Sequence, residues 1–403
     1  MTATRFAKAS TLVALGAAWL VAAWLLTRTT IPGDLHTPHV DAGAVFPAGV
    51  LRRSARYDGL LRWLWVASTL VTLATLAVFA HFGPPIARAW ELGRVATGVM
   101  VGTVTTLGVW AVGLPFGAVQ LWWGRRYGLE QQSYLGWALG QWPALVGQVV
   151  GLTIALIVLM LLAGRFGRRW WLVAAPLFVA AGVVLVLVLP WVETLGTRPP
   201  HHTAVAARIR QLARAEGVGG TPVRIEDVHG ETSAANAMST GIGPSARVFI
   251  WDTFLDGRYS GREIEVVAAH EFGHIAHRHI WKGLGWSLLL TVPGFWLVER
   301  ATRRRGGLER PEVVPAALLA LALIGLAITP FGNAVSRRYE GEADWSALRA
   351  THDPAAAASV FRKFTRYDLV QPNPPLWSYI WIDDHPTVVQ RLAMARGYAA
   401  RNR

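Results

Sequence analysis

One short segment carries the residues whose chemistry is easiest to recognise. It is VVAAHEFGHIAHRHIWKG, residues 266–283, in which apolar residues are followed by four His and one Glu. His270 and His274 are four residues apart, so a helix presents both on one face. Two imidazoles at this spacing can both ligate one Zn²⁺, at about 2.0–2.1 Å. Glu271 lies beside the pair, where a carboxylate can act as the general base toward an attacking water.

A third ligand is predicted in the segment NAVSRRYEGEADWSAL, residues 333–348. Glu340 and Asp344 are four residues apart and share a helix face, whereas Glu342 falls on the opposite side. We predict that Glu340 completes the metal site, which keeps one position open for water. Asp344 is expected to accept a hydrogen bond from a ligating imidazole and fix its orientation. The alternative interpretation is a surface helix with Arg–Glu pairs.

The other histidines of the first segment are not predicted to be ligands. His277 lies on nearly the same face as His270 but two turns away, too far for a metal held between the first pair. His277 and His279 are therefore expected to support the site or to lie on the surface. The sequence contains no Cys, so any metal must use His, Asp or Glu.

The composition is that of a membrane protein. Of 403 residues, 53% are hydrophobic and only 16% are charged, against about a quarter in soluble proteins. Most of the apolar segments approach the ~20 residues that cross a bilayer, although the first and sixth are short. The first is predicted to be a retained anchor rather than a signal peptide, because no small-x-small cleavage site follows it. The seven segments are 11–27, 60–80, 95–117, 135–163, 170–192, 283–298 and 313–332.

The segments predict a mainly α membrane protein with seven transmembrane helices and an α+β domain in two parts. The first part lies between spans five and six, and the second is the C-terminal tail. Two crossings separate the two parts, so both emerge on one side of the membrane and can share a site. The predicted regions are 1–192 with five spans, 193–282 with the metal helix and strand-like runs, 283–332 with two spans, and 333–403 with Glu340.

The net charge of +14 indicates contact with anionic lipid headgroups rather than with nucleic acid. The Arg clusters adjoin apolar spans, and no segment resembles a nucleic-acid-binding module. Arginines flank the spans on both sides, so the positive-inside rule gives no clear orientation.

The motifs AAHEFGHIAHRH and SRRYEGEAD resemble those of the integral-membrane zinc metalloproteases that include the type I CAAX prenyl protease. The bacterial heat-shock membrane protease belongs to a related family. The segment RRYGLEQQSYLGW, residues 125–137, and the seven-span count are also similar to the prenyl protease branch. The resemblance implies a membrane-embedded zinc endopeptidase with one Zn²⁺ per chain, a water-filled chamber and a zinc metalloprotease domain that faces the cytoplasm.

The resemblance also implies roles for residues outside the two metal motifs. Asn236, in a segment of Asn followed by an edge strand (233–255), would hold the backbone of an extended substrate. In DDHPTVVQRL, His385 would donate to the developing oxyanion and Arg391 would brace the acidic residues of the site. The alternative for this second segment is an ordinary helix start at Pro386.

The substrate stays open at this point. The resemblance points to cleavage of prenylated CAAX proteins, which are membrane-associated and lipidated. Arg greatly outnumbers Lys, which is typical of a GC-rich bacterial genome. Protein prenylation is not expected in bacteria. The alternative substrates of a bacterial homologue are misfolded membrane proteins or short peptides. A different class is a transporter or channel-like protein with a structural zinc, because intramembrane His and acidic residues also line ion paths.

Overall fold

Long apolar helices make up the N-terminal half of the chain. The computed structural model describes residues 2–90, 92–201 and 204–403. Apolar residues occupy most positions of these helices. The six helices of this half are α1 (Thr2–Thr27), α2 (Ala42–Val45), α3 (Ala48–Arg88), α4 (Arg94–Tyr127), α5 (Tyr134–Phe166) and α6 (Trp170–Glu193). Gly128 and Gly167 cap the C-terminal ends of α4 and α5, and Ser133 caps the start of α5, where its hydroxyl accepts from the Gly136 amide.

The remaining elements combine short strands with helices. Short 3₁₀ helices occur at Gly167–Arg169, Gly243–Ser245, Asp252–Leu255, Arg303–Arg305, Gly307–Glu309 and Pro311–Val313. The longer elements are α7 (Ala204–Ala215), β1 (Val223–Glu226), β2 (Ala237–Thr240), β3 (Arg247–Trp251), α8 (Gly261–Ala276), α9 (His279–Thr302), α10 (Val314–Thr351), α11 (Pro354–Tyr367), α12 (Leu376–Trp381) and α13 (Val388–Arg401).

By length and composition, four helical stretches in the described residues could cross a membrane. They are Ala48–Arg88, Arg94–Tyr127, Tyr134–Glu193 and Pro311–Thr351. The third stretch is 60 residues long and contains both α5 and α6. The apolar part of α1, Val13–Thr27, is shorter. The chain is therefore a mainly helical, multi-pass membrane protein with a small α+β region, and the count of seven spans stays a prediction.

The sheet has three strands in the order β1-β3-β2. The central strand β3 pairs in parallel with β1 and antiparallel with β2. Its residues Val248, Phe249 and Ile250 are almost completely buried, as expected for a central strand. Within the segment 233–255, the strand at the edge of the sheet is therefore β2, which directly follows Asn236. The residues of β2 do not show the pattern of β-forming residues that would predict a strand.

The hydrophobic core of the α+β region is built around α8, which packs against α7, the sheet, α10 and α11. The helix begins with a capping box in which the Ser260 hydroxyl accepts from the Glu263 amide while the Glu263 carboxylate accepts from the Ser260 amide. Lys363 of α11 also donates to Glu263, at 2.7 Å. These contacts fix the start of α8 and hence the direction in which its later residues point.

Candidate metal centre

Gly273, the glycine of HEFGH, allows α8 and α10 to pack closely. A Cβ atom at this position would lie 3.0 Å from Ser346 Cβ and 3.2 Å from Ala343 Cα. These separations are shorter than most Cβ contacts in proteins, so a side chain here would require the neighbouring helix to move by a few tenths of an ångström. The close approach of the two helices brings the histidines of α8 to the carboxylates of α10.

The three predicted ligands converge at this crossing. His270 Nε2 is 3.1 Å from both His274 Nε2 and Glu340 Oε2, and His274 Nε2 is 3.5 Å from Glu340 Oε1. All three side chains are largely buried. One ligand atom from each residue lies within 4.8 Å of the others.

This donor set fits Zn²⁺. Ligands at about 2.0–2.1 Å in tetrahedral geometry are about 3.3 Å apart, close to the separations found here. Burial lowers the pKa of His270, but hydrogen bonds with Asp344 and Glu340 outweigh it and raise this pKa to about 10. The pocket thus favours positive charge, and the same acceptors favour a divalent cation.

Asp344 and Arg391 lie directly behind His270. The Nδ1 atom of His270 is 2.9 Å from Asp344 Oδ1, so an Nδ1–H that donates to Asp344 leaves Nε2 as the ligand atom. Arg391 donates to both oxygens of Asp344, from Nε at 2.8 Å and from Nη2 at 2.6 Å. This bidentate pair holds the carboxylate in place and balances its buried charge.

A hydrogen-bonded group that the sequence did not single out lies behind His274. His279 is buried, and its Nδ1 is 2.9 Å from His274 Nδ1. The other ring nitrogen of His279 is 2.9 Å from Glu342 Oε2. Glu342 also accepts from Lys282 Nζ at 3.0 Å and from the Thr30 amide at 2.6 Å. When His274 uses Nε2 as its ligand atom, its Nδ1–H donates to His279, which donates in turn to Glu342.

An interruption of the helix between α8 and α9 explains why His279 reaches His274. A helix that continued unbroken from His270 through His279 would carry His279 away from the site. In the structure α8 ends at Ala276, and Arg278 adopts a left-handed conformation with φ 56° before α9 begins. Of the two histidines expected to support the site or to lie on the surface, His279 contacts the predicted ligand His274. His277 does not: its Nε2 is 3.3 Å from Ser346 Oγ and its Nδ1 is 3.6 Å from Glu342 Oε1.

His385 contacts the acidic ligand from the other side. Its Nε2 is 3.2 Å from Glu340 Oε2 and its Nδ1 is 2.7 Å from Asp384 Oδ1. Burial lowers the pKa of His385, but the Asp384 hydrogen bond and the charge of Glu340 outweigh it and raise the pKa. The side chain is 53% exposed, so it faces the space that a substrate could enter.

The remaining predicted residues line one cavity beside the metal ligands. Glu271 and Asn236 share this cavity, of about 370 Å³, with His270, His385 and Arg391. Asn236 ends the edge of the sheet, where its carbonyl accepts from the Trp251 amide at 2.9 Å. Six of the predicted residues thus line a single cleft between α8, α10, β2 and the start of α13, and His274 and Glu340 contact His270 beside it.

Comparisons with known proteins agree with this geometry. The profile of Peptidase family M48 matches residues 199–399. The chain is 28% identical to the "Uncharacterized metalloprotease YhfN" of Bacillus subtilis over 282 residues, which are 67% of this chain and 66% of that protein. It is 34% identical to a "Protease HtpX homolog" of Methylibium petroleiphilum over 138 residues, 33% of this chain and 48% of the relative. Each match thus spans less than two thirds of the relative's length.

The fold is similar to that of a solved membrane protein. The crystal structure of S. mikatae Ste24p superimposes with a TM-score of 0.75, at 18% identity, over 94% of this chain and 96% of that one. The similarity covers both the long helices and the polar region. It therefore shows a Ste24p-like fold for the whole arrangement.

Proposed function

Because the chain belongs to peptidase family M48, we propose that it is a membrane-embedded zinc endopeptidase. The observation that carries this proposal is the convergence of His270, His274 and Glu340, with separate hydrogen-bonded supports behind the two histidines. These three residues would hold one Zn²⁺ per chain. When bound, the cation would polarise the scissile carbonyl and make the attacking water more acidic.

Glu271 is proposed as the general base. It takes a proton from the water that attacks the carbonyl carbon and passes it to the amine nitrogen as the C–N bond breaks. His385 donates a hydrogen bond to the oxygen of that carbonyl as its negative charge develops. Asp344 and Arg391 hold His270 in the tautomer and orientation that a ligand needs.

The edge of the sheet is proposed to bind the substrate backbone. Asn236 and β2 lie at the cleft, and no further strand pairs with the outer side of β2 in the described ranges. An extended peptide can add to such an edge by main-chain hydrogen bonds. This arrangement would carry the scissile bond past Glu271.

The membrane arrangement proposed here has seven spans and a protease domain in two parts. The membrane regions are 1–192 and 283–332, and the protease parts are 193–282 and 333–403. Both protease parts would face the cytoplasm. A reporter fused to the C-terminus measures this orientation directly.

The proposed substrates are peptides or proteins associated with the membrane. The prenylated CAAX tail and the misfolded membrane protein are the two candidates that the sequence leaves open. A peptide library that includes matched peptides with and without a lipid-modified Cys separates them. Preference for the lipidated member would support the CAAX-like assignment, and indifference to the lipid would support the quality-control assignment.

Glu271→Gln tests the proposed mechanism. The variant should retain bound zinc while peptide cleavage falls by about 10²–10⁴-fold, because the general base is lost but no ligand is. Glu265→Gln is the matched control on the same helix, where Glu265 pairs with Arg208 away from the cleft. Cleavage by Glu271→Gln at the wild-type rate would show that this mechanism is wrong.

A further inference from the structure

A second cavity lies at the meeting point of α3 and α4, away from the metal centre. Its volume is about 670 Å³. We call it the arginine pocket, because four arginines and three aromatic residues line it. Its lining residues are Gly49, Arg52, Arg53 and Arg56 of α3 and Trp122, Trp123, Arg126 and Tyr127 of α4.

The aromatic side of the pocket is held together by ring contacts. The Trp123 ring is 5.4 Å from that of Trp122 and 4.8 Å from that of Tyr127. Tyr57 of α3 packs on Tyr127 at 5.1 Å, and the Trp123 indole N–H donates to the Tyr57 carbonyl at 3.1 Å. These contacts fix α3 to α4 at this level.

The arginines are exposed and lack acidic partners. None of Arg52, Arg53, Arg56 and Arg126 forms an ion pair with a carboxylate in the part of the chain that the structure describes. Arg53 donates to the Tyr127 carbonyl at 2.9 Å, and Arg126 lies over the Trp122 ring at 5.9 Å. Most of their N–H groups therefore remain available, and four like charges share one pocket without a counter-charge.

The position of the pocket indicates the kind of anion. α3 and α4 are apolar enough to span a membrane, and the pocket lies where α4 ends. The next residues pair with the protease region: Glu130 bridges to Thr232, and Ser233 Oγ donates to the Gly128 carbonyl at 2.9 Å. The pocket is thus at the boundary between apolar helix and polar domain, where Trp residues mark the headgroup level of a bilayer.

We propose that the arginine pocket binds the phosphate group of an anionic phospholipid. Guanidinium groups bind phosphate oxygens through paired N–H donors, which is why arginines serve at phosphate sites. Apolar surface continues from the pocket along α4, where Val119 is exposed one turn before Trp123. The acyl chains can therefore lie along the helix while the headgroup meets the arginines. This site does not depend on the proposed peptidase activity.

Native mass spectrometry of the purified full-length chain in detergent tests the proposal. We expect the first phosphatidylglycerol to bind at least about tenfold more tightly than phosphatidylcholine, because an arginine near anionic lipid contributes about fivefold in affinity. Replacement of Arg52, Arg53, Arg56 and Arg126 by Gln together should remove this preference. The single variant Arg56→Gln should lower the affinity by about fivefold and provides the result if the quadruple variant does not fold.

The matched control removes four exposed arginines at other helix ends: Arg168, Arg169, Arg304 and Arg305, each changed to Gln. This variant has the same net charge as the first and should keep the phosphatidylglycerol preference within about twofold. Equal loss in both variants, or equal affinity of the wild type for both lipids, would overturn the proposal. Displacement of phosphatidylglycerol by millimolar inorganic phosphate would also overturn it, because the pocket would then bind free phosphate.

Discussion

At the scale of single residues, the two histidines of the metal centre are supported in different ways. His270 has a carboxylate at its Nδ1, held in turn by Arg391. His274 has another imidazole, that of His279, and the charge of Glu342 lies one ring further away. Both arrangements direct a ring N–H away from the metal and leave Nε2 as the ligand atom. The spacing of acidic residues predicted the first, but not the second.

His279→Gln tests the support behind His274. Zinc release to a competing chelator should become about 10–100-fold faster, because His274 loses the partner that fixes its ring. His81→Gln is the matched control, since His81 is exposed on α3 and packs against Phe82, away from the metal centre. Unchanged release from His279→Gln would contradict this role.

Asp368 should make stability depend on pH. Burial raises its pKa to about 7, although the Ala235 amide and Arg258 favour the charged form. Between its ordinary value and about 7, the folded state holds a proton that the unfolded state has released. The contribution of Asp368 to the free energy of unfolding is therefore greatest at low pH and falls as the pH rises toward 7.

Asp368→Asn should remove this loss, since an amide can still accept from Ala235. Its free energy of unfolding, measured by thermal unfolding in detergent, should rise by about 2 kcal/mol relative to that of the wild type between pH 5 and pH 8. Asp34→Asn is the control, because a hydrogen bond from Arg401 lowers the pKa of that exposed carboxyl. A constant difference between Asp368→Asn and wild type at all pH values would refute the expectation.

At the scale of elements, the crossing of α8 and α10 determines the site. The sequence predicted which residues lie on each facing surface, because i, i+4 spacing is a local property of helices. The family resemblance implied an edge strand after Asn236, but the residue pattern predicted neither the break at Arg278 nor the position of β2. The break requires a left-handed residue that is not glycine, and β2 depends on pairing with β3 rather than on its own residues. Both features come from tertiary contacts.

Gly273→Ala should separate the two helices. The added Cβ would meet Ser346 and the Ala343 backbone, so zinc affinity and thermal stability should both fall, with a cost of about 1–3 kcal/mol. Gly283→Ala is the control, since no atom lies within 4 Å of its added Cβ and alanine favours a helix. The two variants should therefore change stability in opposite directions, as measured by thermal unfolding.

At the scale of the whole molecule, the end of α1 and the residues after it form hydrogen bonds with residues behind the metal centre. The Leu26 carbonyl accepts from Tyr339 at 2.7 Å, the Arg28 carbonyl accepts from Lys282 at 3.1 Å, and the Thr30 amide donates to Glu342. These contacts connect residues more than 250 positions apart in the sequence. Sequence patterns predicted an anchor here but could not predict what its end would contact.

Zinc should stabilise the whole chain, because the site joins α8 to α10. Chelation should lower the unfolding temperature, and added Zn²⁺ should restore it, with about 3 kcal/mol expected at a hundredfold excess over Kd. His274→Ala provides the control, since its unfolding temperature should not respond to the chelator. An unchanged wild-type unfolding temperature after zinc removal would contradict this expectation.

The shortness of β2 has a consequence for selectivity. Its four residues offer about 13 Å of free main chain beside the cleft. Such an edge can pair only with a polypeptide whose own amides and carbonyls are not already satisfied. If the substrate binds at this edge as proposed, folded domains and intact helices would be excluded, and unfolded segments of almost any side-chain composition would be accepted. Selection would then depend on the conformation of the substrate more than on the identity of its residues.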